Sequence, residues 1–209
     1  MINISLTKTI LSAGFISATF FTYEAFTRNT VENLDSNKKL IDSGLSEHWK
    51  NGHVILLIRH EERCDRSSNP CLGPDDGITA VGAERAKEAG IHLKAYFDFG
   101  YADVFTSPMT RTVQTSNFML GKASLLSDRE SICGNDIIGK LLKHKGASRN
   151  LIVVTHNTCM KDLIRSSGDQ HSWSPEYGSL LFAKTTNKNG IQIVGTLNAD
   201  DTPKHPSPI

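Results

Sequence analysis

Short apolar runs alternate along this chain with longer stretches in which apolar residues recur every three or four positions, the pattern of strands interleaved with helices. Val54-Ile55-Leu56-Leu57-Ile58 is too short and too β-branched for a helix and reads as a buried strand. Leu151-Ile152-Val153-Val154-Thr155 is the clearest strand, Ala102 to Thr106 a shorter one, and Ala123 to Leu126 an edge strand. Between them, a helix begins at Ile78-Thr79 and carries Ala86, Ala89, Leu93 and Phe97 on one face. A second helix shows Met109, Val113, Ser116 and Leu120 on one face and stops at Gly121. Ile137, Ile138, Leu141 and Leu142 mark a third, ended by Gly146. Met160, Leu163 and Ile164 mark a fourth, for which Asn157 can serve as cap. Leu180-Leu181-Phe182-Ala183 and Ile191-Gln192-Ile193-Val194 flank Asn187-Lys188-Asn189-Gly190, a hairpin signal.

Alternating strands and helices predict one α/β domain over residues 52–198, a three-layer sandwich whose mostly parallel sheet has helices on both faces. The polar stretch 27–51 reads as a linker with one short helix, and 199–209, with three prolines, as a disordered tail. Residues 1–26 differ in kind: Lys8 precedes the apolar run Ile10 to Phe21, which resembles the start of a secretory signal and is short for a membrane span. No Ala-x-Ala site follows, so a cleaved signal peptide and an uncleaved N-terminal anchor both stay open.

Composition narrows the function classes. The chain of 209 residues is 38% apolar and 22% charged, with a formal net charge of +1, as in one globular domain with a full core. Neither the net charge nor any block of Lys and Arg supports nucleic-acid binding or a polybasic membrane segment. An anionic ligand must be captured by a local cluster of charge. Cys64 and Cys71 bracket a polar segment, while Cys133 and Cys159 fall in two later loops. Proximity favours those two pairs among the three possible pairings, and the spacings match no zinc site. Disulfides point to an oxidising compartment.

The candidate chemistry sits at strand ends. Arg59-His60 follows the first strand, Ser107-Pro108-Met109-Thr110-Arg111-Thr112-Val113-Gln114-Thr115 the second, and His156-Asn157 the strand ending at Thr155. The carboxyl ends of parallel strands share one sheet edge, so these loops can converge on one crevice. Two Arg and two His suit a phosphoryl dianion: guanidinium forks match phosphate oxygens, and a neutral imidazole can attack phosphorus. Singly, each has a plainer reading, His60 as a core histidine and Arg111 as a surface helix residue. Trp49 and Trp173 read as core or rim packing.

In this order, Arg-His after a strand, Ser-Pro-x-x-Arg-Thr-x-Gln-Thr and Thr-His-Asn resemble the histidine phosphatase superfamily, the phosphoglycerate mutase-like fold. Pro175-Glu176-Tyr177-Gly178-Ser179 is similar to that family's last turn. Within it, His60 to Ser67, Cys71-Leu72, Gly77-Ile78-Thr79, Cys133-Gly134-Asn135 and His156-Asn157 with Cys159 look like the bacterial lipopolysaccharide core heptose(II)-phosphate phosphatases. The resemblance implies that His60 becomes a phosphohistidine, that Arg59 and Arg111 hold the phosphoryl oxygens, and that His156 adds a hydrogen bond. It places the general acid at Glu130 or at Asp136, with Glu130 preferred. Arg66, then Arg63, and Asn157 are candidate substrate binders, although Glu61, Glu62 and Asp65 can neutralise the two arginines. Glu61 stands where the family usually has glycine.

No cofactor or metal is implied. The expected partner is a phosphorylated sugar of the lipopolysaccharide core, in the periplasm, with the protein anchored to the inner membrane if the N-terminal segment is retained. A broad-specificity phosphatase or mutase-like enzyme, and a non-catalytic phosphate-binding envelope module, are the competing readings.

Overall fold

The computed structural model of the chain describes residues 31–168 and 173–198. The expected export segment 1–26 and tail 199–209 lie outside the described residues, and among these no helix is long and apolar enough to cross a membrane. Six strands form one sheet: β1 (Val54–Arg59), β2 (Ala102–Thr106), β3 (Ser124–Leu125), β4 (Asn150–Thr155), β5 (Leu180–Thr185) and β6 (Ile191–Leu197). Their order is β3-β2-β4-β1-β5-β6. The first four run parallel, and the hairpin β5–β6 joins antiparallel to β1.

β1 and β4 are buried over almost their whole length, which explains why their sequences are apolar without alternation. The alternation shows in where the side chains go. Val54, Leu56 and Ile58 face helices α3 (Ala80–Tyr96) and α4 (Thr110–Leu120), whereas Ile55 and Leu57 face α5 (Ile137–His144) and α6 (Asn157–Ser166). Each face therefore carries its own core, as a three-layer sandwich requires.

Residues 31–51 correct the linker expectation. They hold two short helices, α1 (Asn37–Asp42) and α2 (Leu45–Lys50), and bury Leu34, Leu40, Leu45 and Trp49 in the α3–α4 core. The backbone of Leu34 donates to Thr196 and that of Thr196 to Glu32, which fastens the segment along β6. Trp49 lies 4.7 Å from the ring of Phe97, and its indole N–H donates to the Asp98 carbonyl at 3.2 Å. Only four large apolar residues in twenty-one anchor the stretch, so its polar composition hides a packed element.

The second expected helix, α4, forms with its inner face one position round from the apolar reading. Thr112, Thr115, Ser116, Met119 and Leu120 are buried, and Val113 is only half-buried. Small polar side chains face inward because this helix crosses α3 at close range. A Cβ on Gly90 of α3 would lie 2.1 Å from the Met119 carbonyl oxygen. Asn157 is the first residue of α6 rather than its cap, a position taken by His156.

Gly90→Ala is expected to force α3 and α4 apart and to cost about 1–3 kcal/mol, read as a lower urea midpoint with unchanged slope. Alanine at neighbouring Glu88, which is exposed, should leave the midpoint where it is.

Candidate active site

Backbone pairing aligns the strand ends. Arg59 of β1 stands opposite Thr155 of β4, and Thr106 of β2 opposite Val154. The next residues continue the ladder: His60 N–H donates to the Thr155 carbonyl at 3.0 Å, and Ser107 N–H to the Val154 carbonyl at 3.1 Å. His60, Ser107 and His156 are thereby delivered to one edge. The turn before β5 reaches the same edge, where Arg59 N–H donates to the Ser179 carbonyl at 2.9 Å.

His60 is 4% exposed, and its Nδ1 lies 2.7 Å from the Glu61 carbonyl oxygen. A carbonyl only accepts, so Nδ1 carries the proton and the Nε2 lone pair is left available. The His156 ring stands edge-on at 5.4 Å between centroids, with its Nε2 3.0 Å from the Ser107 hydroxyl. Burial pushes both imidazoles down to about 3, and the positive charges of Arg111 and Arg59 add to the effect on each. Both are neutral at ordinary pH.

The two expected phosphate binders flank them. Arg59 donates from Nη1 to the Pro175 carbonyl at 2.6 Å and stacks 4.0 Å above the Tyr177 ring, so its aim is set from both sides. Arg111 lies in the first turn of α4. Both guanidiniums keep a buried Nε with no acceptor among the described residues, and burial lowers the proton affinity of each. Buried donors without acceptors are costly, so both guanidiniums have the chemistry to receive an oxyanion.

Each polar residue of the Ser107–Thr115 motif has a mechanical task. Thr112 Oγ1 donates to the Ser107 carbonyl at 2.6 Å and closes the turn that presents Ser107. Gln114 accepts from Ile78 N–H at 2.8 Å and donates to the Gly73 carbonyl at 2.7 Å, clamping the loop after β1 onto α4. Thr110 donates to Asp76 of the same loop at 2.8 Å. Thr115 Oγ1 accepts from Glu61 N–H at 2.9 Å and donates to the Arg111 carbonyl at 2.8 Å. Through Glu61, Thr115 ties the backbone that orients His60 to the helix that carries Arg111. Glu61 itself is fully buried, and its Cβ lies where Gly82 leaves room on α3.

The remaining expected residues divide. Arg63 forks onto Asp65, at 2.7 Å from Nε and through a second contact from Nη2. Its charge nonetheless acts on Arg59, Arg111 and His156, whereas that of Arg66 acts on Arg59 from an exposed position. Asp136 adopts a left-handed φ of 55° and caps α5 by accepting from Gly139 N–H at 3.3 Å, a structural task. Glu130 lies on the short 3-10 turn Arg129–Ser131, and its side chain is outside the described residues. Asn157, half-buried, opens α6 directly after His156.

The cysteines pair as Cys64–Cys71 and Cys133–Cys159, with Cα separations of 5.1 and 4.6 Å. One bond staples the loop after β1, and the other ties the segment following the 3-10 turn to the first turn of α6. Ser107, Tyr177, Thr115 and Arg129 were not expected as site residues. The first three lie inside the quoted motifs, but which motif positions turn inward depends on the α4 register and on the turn before β5. Arg129 has no sequence signal. Its Nη2 donates to Thr158 Oγ1 at 2.8 Å, which brings its charge to His156 and Arg111. Among the described residues, no group of three His, Cys, Asp or Glu side chains could hold a metal ion.

Comparison with known proteins finds relatives in sequence and in fold. Over 127 residues, 59% of this chain, it is 36% identical to the lipopolysaccharide core heptose(II)-phosphate phosphatase of Escherichia coli O9:H4 (strain HS), and 35% identical to that of strain SE11. The aligned region spans 62% of the length of these curated relatives. Among solved structures, phosphoglycerate mutase from Bacillus anthracis superposes with a TM-score of 0.55 at 14% identity, covering 75% of this chain and 97% of that one. Phosphoserine phosphatase from Entamoeba histolytica gives 0.50 at 14% identity, covering 72% and 99%. No family model matches. The chain has the phosphoglycerate mutase-like α/β fold, and its sequence is homologous to the heptose phosphatases.

Two measurements probe the site's construction. Thr115→Val leaves the buried Glu61 N–H without its acceptor and is expected to cost about 1–3 kcal/mol in urea unfolding, while Thr115→Ser stays near wild type. The histidines supply a pH dependence whose sign is fixed by their lowered folded values. Once unfolded, each takes up a proton below its ordinary value of 6.5, so stability is full above that pH and declines as pH falls toward 3. The urea midpoint should therefore fall between pH 7 and pH 5 (about one unit on either side of the unfolded value), and His156→Gln should flatten that fall.

Proposed function

We propose that this chain is a phosphomonoesterase that removes phosphate from a lipopolysaccharide core heptose through a phosphohistidine at His60, in an exported, oxidising compartment. The observation that carries the chemistry is the bond from His60 Nδ1 to the Glu61 carbonyl, which leaves Nε2 as a neutral nucleophile between Arg59 and Arg111. The substrate is taken from the names of the curated relatives. The compartment is supported by the two disulfides and by the apolar run Ile10 to Phe21 behind Lys8.

In the first step His60 Nε2 attacks phosphorus, the P–N bond forms, and the bond from phosphorus to the sugar oxygen breaks. Arg59 and Arg111 hold the equatorial oxygens as negative charge spreads, and His156, positioned by Ser107, donates a further hydrogen bond. The departing sugar oxygen takes a proton from a carboxylic acid, for which Glu130 is the candidate, since Asp136 is engaged as a helix cap. In the second step that carboxylate accepts a proton from water as the water oxygen attacks phosphorus. The P–N bond breaks, releasing inorganic phosphate and restoring neutral His60.

The test is a phosphate-release screen over small phosphomonoesters and phosphorylated core oligosaccharide, with trapping of the phosphoenzyme by quenching into alkaline detergent. Wild-type protein should release phosphate from the core oligosaccharide and accumulate an acid-labile phosphohistidine. His60→Ala should lose both, with turnover down by about a thousandfold or more. Equal turnover by wild type and His60→Ala would sink the proposal.

A further inference from the structure

The site carries more positive charge than one phosphoryl group can use. Four guanidiniums act on His156 from successive strand ends, Arg59 and Arg63 from β1, Arg111 after β2 and Arg129 after β3, with the carboxylates of Asp65 and Asp76 facing Arg111. A phosphate monoester dianion is balanced by two of them, Arg59 and Arg111. Arg63 is occupied by its fork on Asp65. Arg129 is different. The partner that holds it is a neutral hydroxyl, that of Thr158, in the first turn of the helix capped by His156.

One Nη2 bond to Thr158 fixes the direction of an exposed side chain and, among the described residues, leaves most of the five N–H donors of the guanidinium unused. The position is close enough that the charge of Arg129 depresses the proton affinity of both His156 and Arg111. In a chain whose net charge is only +1, this surplus is local rather than part of a generally basic surface. Like charges gathered at a crevice repel one another, and that repulsion is relieved when a ligand brings more than one negative group.

We propose that Arg129 forms a second oxyanion subsite beside the phosphoryl pocket, so that the substrate carries a further phosphate or carboxylate within reach of its scissile phosphate. The inference rests on the phosphoryl-pocket reading above and adds to it the class of substrate: a doubly anionic sugar rather than a simple sugar monophosphate. Arg129 is then a specificity-determining residue. The Cys133–Cys159 bond holds its loop against α6, and Thr158 sets the distance of the second anion from His156.

Calorimetry on full-length His60→Ala protein, which cannot turn substrate over, separates the two claims. The probes are inorganic phosphate, glucose phosphate, glucose bisphosphate and phosphogluconate, the last two supplying a second phosphate and a carboxylate respectively. Glucose bisphosphate or phosphogluconate should bind about tenfold more tightly than glucose phosphate, as expected for one added charge-assisted contact. The arm that shows the gain identifies the second anion. Adding Arg129→Gln should close the gap while leaving glucose phosphate within about twofold, and raising the salt concentration should narrow it.

The inference is overturned if the four probes bind His60→Ala alike, or if Arg129→Gln weakens all of them equally, which would place Arg129 in the phosphoryl pocket itself. Failure of every probe to bind, inorganic phosphate included, would remove the pocket and this subsite together. Tight binding with no turnover by wild type would remove the catalytic reading alone. Arg129 is exposed, and an unchanged circular dichroism spectrum for Arg129→Gln checks that the loop stays folded.

Discussion

The in-register parallel pairing of β2, β4 and β1 is the constraint on which the rest depends. With Arg59 opposite Thr155 and Thr106 opposite Val154, three loops start at the same height on the same edge. A slip of one residue would turn every side chain of a strand to the other face, exchanging the α3–α4 core residues with the α5–α6 ones. It would also carry His60 away from His156. The two cores therefore hold the register, and the register holds the site.

The electrostatics follow from that placement. Two imidazoles buried beside arginines do not take up a second proton at ordinary pH, and burial is the larger cause. Neutrality is destabilising at acid pH, yet it leaves His60 with the lone pair that the proposed attack on phosphorus requires. The hydrogen bond to the Glu61 carbonyl then selects which ring nitrogen keeps its lone pair. The same carbonyl belongs to a residue whose N–H is held by Thr115, so α4 governs both the orientation of the histidine and the location of Arg111. Close approach of α4 to α3, made possible by Gly90, is thus felt at the site.

Loops supply what the sheet cannot. The segment after β1 is pinned by a disulfide, by Gln114 and by the bond between Thr110 and Asp76, and it carries Arg63 and Asp65 to the crevice rim. The segment around Arg129 is pinned by Thr158 and by the second disulfide. Loops without regular ladders need such fastenings if charged groups on them are to keep fixed distances, and both cross-links fall within a few residues of an arginine at the rim.

Local patterning alone determined the strands, the four long helices and the hairpin, because buried parallel strands and amphipathic helices write their environment into successive residues. It also determined the four central side chains, since Arg59, His60, Arg111 and His156 directly follow recognisable strands or open a recognisable helix. Only the tertiary structure decided the remainder. The packing of residues 31–51 is invisible in so polar a stretch, because four anchors suffice to bury it. The inner face of α4 is polar, so hydropathy pointed one position away from Thr112 and Thr115. Asp136 turned out to be a helix cap, and Arg63 is held on Asp65, because loop residues take their direction from bonds that hydropathy does not record. Arg129 is the clearest case. Nothing beside it in the chain distinguishes it, and its significance comes entirely from a hydroxyl twenty-nine residues away.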